Sequence, residues 1–222
     1  MMQVEVFDAR IAVPAGMIYA GAPLSGKTTH ILNLLKNRDR LFTKKFDYIF
    51  WFYGQYNETV KMLEANPQLN IKPVAGLPKN LDNYIYANKQ GCHIYDDLMN
   101  EASSNKNMLD VVSRKCQHQN LFWIYAIQDF FFHGKERLSL LRCAHYYVLF
   151  KNPLDKSMIY HLANRIMPHN HKCFIDIFNE ATKTPNSYLF IDGAQSTPEN
   201  ARFRTNIFDL VQKVYSPTCN NK

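Results

Sequence analysis

The chain has 222 residues, 46% of them apolar and 14% aromatic, with a mean hydropathy of -0.33; that is material for one ordinary folded domain and argues against a disordered chain. With 26 Lys and Arg against 19 Asp and Glu, the formal charge of +7 favours polyanionic partners such as nucleic acid, although no run of like charges forms a basic tail. The 5 cysteines are scattered and never spaced Cys-x-x-Cys, which argues against a disulfide framework or zinc ribbon and fits a reducing, intracellular setting; with no signal-like N-terminus and no apolar run near the roughly 20 residues that span a bilayer, no membrane insertion is expected.

In chain order, Gly16 to Ala20, "GMIYA", is a compact apolar run that predicts a buried strand, and a helix is predicted from Lys27 to about Asn37 with Ile31, Leu32, Leu34 and Leu35 on its apolar face. Asp47 to Gly54, "DYIFWFYG", is dense in aromatic and β-branched residues and predicts a second strand. Its aromatic run, Phe50 to Tyr53, suits core packing better than stacking on bases. Asn57 to Ala65 reads as a helix that stops before Pro67, and "NIKPVAGLP" as a short extended piece. Gly91 to Asp97 is a brief strand ending in two carboxylates. A helix from about Asn107 to His118 leads into the strand Leu121 to Gln128, and His145 to Asn152 is another strand. Helical patterns over Asp155 to Ile166 and His171 to Thr182 precede a last strand, Ser187 to Gly193, and the tail after about Asp209 reads as loose. Strands alternating with helices predict an α/β fold, with a central, mainly parallel sheet flanked by helices, in a single domain spanning residues 1–222.

Between the first strand and first helix stands "GAPLSGKT", Gly21 to Thr28, with the phosphate-loop spacing of Gly, four residues, Gly, Lys and Thr. Glycines let the backbone turn its N–H groups onto a β-phosphate at the positive end of the following helix. The nucleotide-binding candidates are therefore Gly21, Ala22, Pro23, Leu24, Ser25, Gly26, Lys27, Thr28 and Thr29. Lys27 is placed to neutralise β and γ oxygens of ATP, and the Thr28 hydroxyl to hold Mg²⁺. Chain segments of this kind are followed by a strand beside the phosphate loop that ends in a Mg²⁺-binding acid, which points to Asp96 in "HIYDD". Asp97, directly after it, is the second carboxylate a hydrolase needs to polarise an attacking water. Gln128 ends the strand "LFWIYAIQ", where its amide is suited to touch both a γ-phosphate and that water.

A ring-forming ATPase also needs a cation supplied by a neighbouring subunit, and "GKERLSLLRCAHYY" offers Arg137, ranked first, and Arg142. Cys116 with His118, Cys143 with His145, and His169, His171 and Cys173 recur at two-residue spacing, but the segments are far apart and none has finger-like spacing, so no zinc site is expected.

The strings "GAPLSGKTT", "IYDDLMNEA", "FWIYAIQDFF", "RCAHYYVLFKNPLD" and "SYLFIDGAQSTPENARFRTNIF", in that order over Phe7 to Phe208, resemble the viral DNA-packaging ATPases of the FtsK/HerA superfamily. That group includes the poxvirus packaging ATPase and its relatives in virophages and Maverick/Polinton-like elements. The resemblance implies an ASCE-type, RecA-like P-loop NTPase that assembles into a ring and drives double-stranded DNA into a preformed capsid inside the infected host cell. It also implies that Gly21 to Thr28 form Walker A, that Asp96 is the Walker B acid, and that Asp97 is the catalytic acid and Gln128 the sensor. Ala22, Pro23 and Leu24 stand where such loops commonly carry Gly or Ser, which stiffens this one.

The leading reading is an ATP-driven translocase for double-stranded DNA, held through its phosphates without sequence readout. Two alternatives remain open: a P-loop kinase for a nucleotide or other small molecule, which predicts one acid after the second motif and an Arg-rich lid, and a scaffold that binds ATP in order to assemble.

Overall fold

The computed structural model describes residues 7–98, 105–128 and 137–217. One sheet is built from β1 (Ala15–Ala20), β2 (Tyr48–Tyr53), β3 (Ile71–Ala75), β4 (Gly91–Asp96), β5 (Leu121–Ile127), β6 (Tyr146–Phe150), β7 (Tyr188–Asp192), β8 (Phe203–Thr205) and β9 (Lys213–Tyr215). Across the sheet the order is β3, β2, β4, β5, β1, β6, β7, β8, β9. The strands from β3 through β6 are parallel and those from β6 through β9 antiparallel. The helices are α1 (Lys27–Lys36), α2 (Arg38–Leu41), α3 (Glu58–Ala65), α4 (residues 106–118, with a π turn over Val111–Lys115), α5 (Arg137–Arg142), α6 (Ser157–Ile166) and α7 (His171–Ala181).

The central strands read as unbroken apolar runs because both faces of the sheet are covered. On one face Met17, Tyr19, Ile124 and Trp51 pack with Ile31, Leu34 and Leu35 of α1 and Leu63 of α3. On the other, Ile18, Phe52, Trp123 and Tyr125 pack with Met108 and Val112 of α4, Met158 of α6 and Phe174 of α7. Alternate residues of each strand thus serve opposite layers. The aromatic run of β2 belongs to this core: Phe50, Trp51 and Phe52 are buried. Pro73 lies in β3, the edge strand, where a missing ladder N–H costs least.

Two expectations need correction. The strand that ends in Asp96 is not beside β1; β5 stands between them, with Ala15–Ala20 registered on Phe122–Ile127 and Gly91–Tyr95 on Leu121–Tyr125. Every residue of β5 is buried, and a strand apolar on both faces gains most from the middle of a sheet. The segment after Asp209, expected to be loose, supplies β9, whose Lys213–Tyr215 pair with Phe203–Thr205 and so satisfy backbone groups of β8.

Candidate nucleotide site

The parallel strands end at one edge of the sheet, and the sequence candidates gather there. β1 passes into the loop 21–26, which leads into α1. The loop runs close to β6: a Cβ on Gly21 would stand 2.6 Å from Phe150 Cβ and 3.0 Å from Ser25 Oγ. Gly26 has φ 96 and ψ 7, a left-handed conformation open to glycine at little cost. α1 begins with no side-chain cap and no acid in its first turn, so its free N–H groups and positive dipole end face the loop. Ser25 Oγ is buried without a hydrogen-bond partner. An uncapped helix start, a glycine-permitted turn and an orphaned hydroxyl together fit a phosphate group.

Lys27 reaches back over the loop, Nζ donating to Gly21 O at 2.7 Å and Ala22 O at 2.8 Å. Burial lowers its pKa, opposed by the carboxylates of Asp96 and Asp97. Thr28 Oγ1 donates to Asp96 Oδ2 at 3.5 Å. Asp96 is buried, and its pKa is pushed up to about 6 by burial and by Asp97, against the pull of Lys27 and the Thr28 hydroxyl. One hydroxyl and one carboxylate oxygen facing a phosphate cradle are the donor set a hard cation such as Mg²⁺ prefers. Asp97 is exposed and left-handed, with φ 56. Lys27, Thr28, Asp96, Asp97 and Gln128 line one cavity of about 330 Å³, together with Pro23, Leu24 and Asn57.

The interposed β5 explains how one cavity collects these groups. Gln128 follows β5 directly, between the loop that leaves β1 and the acids that end β4. A second cavity, of about 410 Å³, lies on the other flank of the loop, lined by Ala22–Ser25, Phe150, Lys151 and residues 182–187. A cavity of about 690 Å³ at Phe7, Pro198 and Val214 contains none of the phosphate-loop residues. Ala22 and Pro23 keep the loop free of further glycine, yet Leu24 adopts φ 62 with its side chain fully exposed, so the stiffened loop still makes the turn a glycine would make.

Other candidates fall elsewhere. Arg142 is exposed at the end of α5, before β6 begins, and so lies at the opposite edge of the sheet from the loop. Arg137 opens α5, and its side chain lies outside the described residues. Cys116 is buried, its thiol donating to Leu121 O at 3.1 Å, and His145 Nδ1 accepts from Gly16 N at 3.3 Å. Among the described residues no group of three His, Cys, Asp or Glu side chains is arranged to hold a metal ion, and no helix is long and apolar enough to cross a membrane. Sequence reasoning missed Asn57, which caps α3 through Oδ1 (Thr59 N 3.0 Å, Val60 N 3.1 Å) and also lines the cavity. It also missed Gly54, where a Cβ would stand 2.1 Å from Asp97 O and whose only local signal is that it follows an aromatic strand.

The sheet, the loop and the flanking helices form the fold of the P-loop ATPases, which solved ATPase structures share. No protein-family model and no curated protein sequence matches the chain. Among solved structures, B204, the DNA-packaging ATPase from Sulfolobus Turreted Icosahedral Virus, aligns with TM-score 0.55 at 10% identity, covering 93% of this chain and 98% of that one. The genome packaging NTPase B204 from Sulfolobus turreted icosahedral virus 2, in complex with AMPPCP, aligns with TM-score 0.55 at 11% identity over 93% of this chain and 99% of that one. EssC (ATPases 2 and 3) from Geobacillus thermodenitrificans aligns with TM-score 0.56 at 11% identity, covering 94% of this chain and 41% of that one. At such identities the likeness is one of fold.

Proposed function

We propose that this protein is an ATPase of the FtsK/HerA type that drives double-stranded DNA into a preformed viral or virus-like capsid, working as a homo-oligomeric ring in the infected cell. The observation that carries the reading is the convergence of Lys27, Thr28, Asp96, Asp97 and Gln128 on one cavity at the mouth of the phosphate loop. The loop N–H groups and Lys27 bind the β and γ phosphates. The cavity on the other flank of the loop, with its Thr182–Ser187 wall, receives base and ribose. Thr28 and Asp96 would hold Mg²⁺, which when bound offsets phosphate charge. Asp97, exposed at the rim, takes the proton of the attacking water, and Gln128 orients that water. The second acid sets this site apart from that of a small-molecule kinase. An arginine of a neighbouring subunit, Arg137 or Arg142, completes the charge on the γ-phosphate. The formal charge of +7 suits a ring that holds DNA by its backbone.

ATP turnover measured with and without long double-stranded DNA, on wild type, Lys27→Ala and Asp97→Asn, tests the reading. Stimulation of wild type by DNA and loss of turnover in both variants are expected. Failure of DNA to stimulate turnover counts against the translocase, and phosphate transfer to a small acceptor identifies a kinase instead. DNA packaging that survives Asp97→Asn would leave only a scaffold role.

A further inference from the structure

Asp97 holds an unusual backbone for a residue with a side chain. Its φ of 56 is left-handed, a conformation that aspartate tolerates better than most residues with a side chain and that sends the chain sharply away from the strand. The turn is packed against the end of β2. Tyr53 is registered on Asp96, so Gly54 continues beside Asp97. Gly54 N donates to Asp96 O at 3.1 Å, while Tyr53 O is held by Gly76 N at 2.8 Å, which ties this end of β2 to both neighbouring strands. The closest approach is steric: a Cβ on Gly54 would stand 2.1 Å from Asp97 O and 3.1 Å from Asp97 C. Both obstacles are backbone atoms, so no side-chain rotation relieves them. Gly54 is not among the glycines with positive φ, and it is exposed. Its own backbone therefore does not require glycine, and burial does not either; the Asp97 carbonyl does.

We propose that Gly54 is a positioning residue for Asp97: the missing side chain admits the Asp97 carbonyl, which lets the chain turn left-handed straight after β4 and keeps the carboxylate in the cavity with Lys27 and Gln128. The proposal rests on the reading of Asp97 as the catalytic acid. A methyl group at 54 must displace the Asp97 peptide, and with it the carboxylate, while the phosphate loop on β1, two strands away from β4, is untouched. A displacement of about 1 Å suffices to cost on the order of 100-fold in rate.

Steady-state ATP hydrolysis with Mg²⁺ is measured on wild type, Gly54→Ala, Asp97→Asn and the double variant. Gly54→Ala is expected to lower kcat at least tenfold with KM within threefold of wild type, and to cost nothing further when added to Asp97→Asn. Wild-type kcat in Gly54→Ala alongside an inactive Asp97→Asn overturns the proposal and leaves the reading of Asp97 standing. Wild-type kcat in Asp97→Asn overturns the reading itself. Gly91→Ala, whose Cβ would meet the Tyr48 ring at 2.3 Å at the far end of β4, controls for lost stability alone. Equal losses of kcat in Gly54→Ala and Gly91→Ala, measured at low temperature where both remain folded, also overturn the proposal.

Discussion

Thr28 Oγ1 and Asp96 Oδ2 lie 3.5 Å apart, linking the first turn of α1 to the end of β4. The two strands that deliver them, β1 and β4, are not neighbours in the sheet. At that length the hydrogen bond is weak, so it adds little stability and leaves both oxygens available to a cation.

Thr28→Ala is therefore expected to leave the thermal midpoint within about 1 °C of wild type, a change below about 0.5 kcal/mol. The Mg²⁺ concentration that half-saturates ATP hydrolysis should rise at least about tenfold. Titration of activity against Mg²⁺ beside a thermal melt separates the two effects; a large fall in midpoint with unchanged Mg²⁺ demand would make Thr28 structural.

Leu24 carries a fully exposed side chain on a left-handed backbone, so nothing is lost from the core by changing it. Leu24→Gly removes roughly 1–2 kcal/mol of strain, offset in part by about 0.4–1 kcal/mol of added freedom in the unfolded chain, whereas Leu24→Val deepens the strain. Urea midpoints are expected to rank glycine above leucine and leucine above valine. Valine as the most stable of the three would contradict the left-handed turn.

The buried pair on the antiparallel side behaves differently. Arg204 and Asp192 are each 2% exposed and bonded through Nη2 and Oδ2. The Arg204 guanidinium also donates to Ala9 O at 3.0 Å and lies over the Phe190 ring at 4.9 Å. Asp192→Ala strands a buried cation and is expected to cost about 3–5 kcal/mol, while an apolar replacement of both partners, Asp192→Leu with Arg204→Met, recovers most of it. A double-mutant cycle in urea reads the coupling directly.

His93 sets an acid dependence. It is fully buried in β4, its ring nitrogens engaged by Tyr95 Oη at 3.1 Å and Tyr84 O at 2.9 Å. Burial lowers its pKa from 6.5 to about 4, only partly offset by the Tyr84 carbonyl. The folded chain thus holds His93 neutral where the unfolded chain binds a proton. The resulting stability is full above pH 6.5 and drains away as pH falls toward 4, by about 3 kcal/mol in all. Urea unfolding at pH 7 and pH 4.5 is expected to show a loss that shrinks in His93→Gln; an unchanged loss in that variant would assign the acid sensitivity elsewhere.

The phosphate loop was legible because its chemistry is local: two glycines, a lysine and a threonine within eight residues, between an apolar strand and a helix. The central strands were legible for a related reason, since burial on both faces writes itself as an apolar run. Strand order was not, because β5 pairs with β1 and β4 through backbone groups that every sequence carries. β8 escaped notice because Arg204 sits in its middle, and an arginine in so short a run signals surface until Asp192 is seen beside it. The contact of Gly54 with Asp97 is invisible for the same reason as strand order: it depends on which strand ends next to which, not on either residue's type.

β5 is hydrogen-bonded along both sides, to β1 and to β4. The strand that ends at Gln128 cannot leave the sheet without dismantling it, so its amide protons should exchange with solvent only through global unfolding. The floor of the site is then as durable as the whole molecule. Leu24 and Asp97, exposed on turns at its rim, stand over an anvil that stays still.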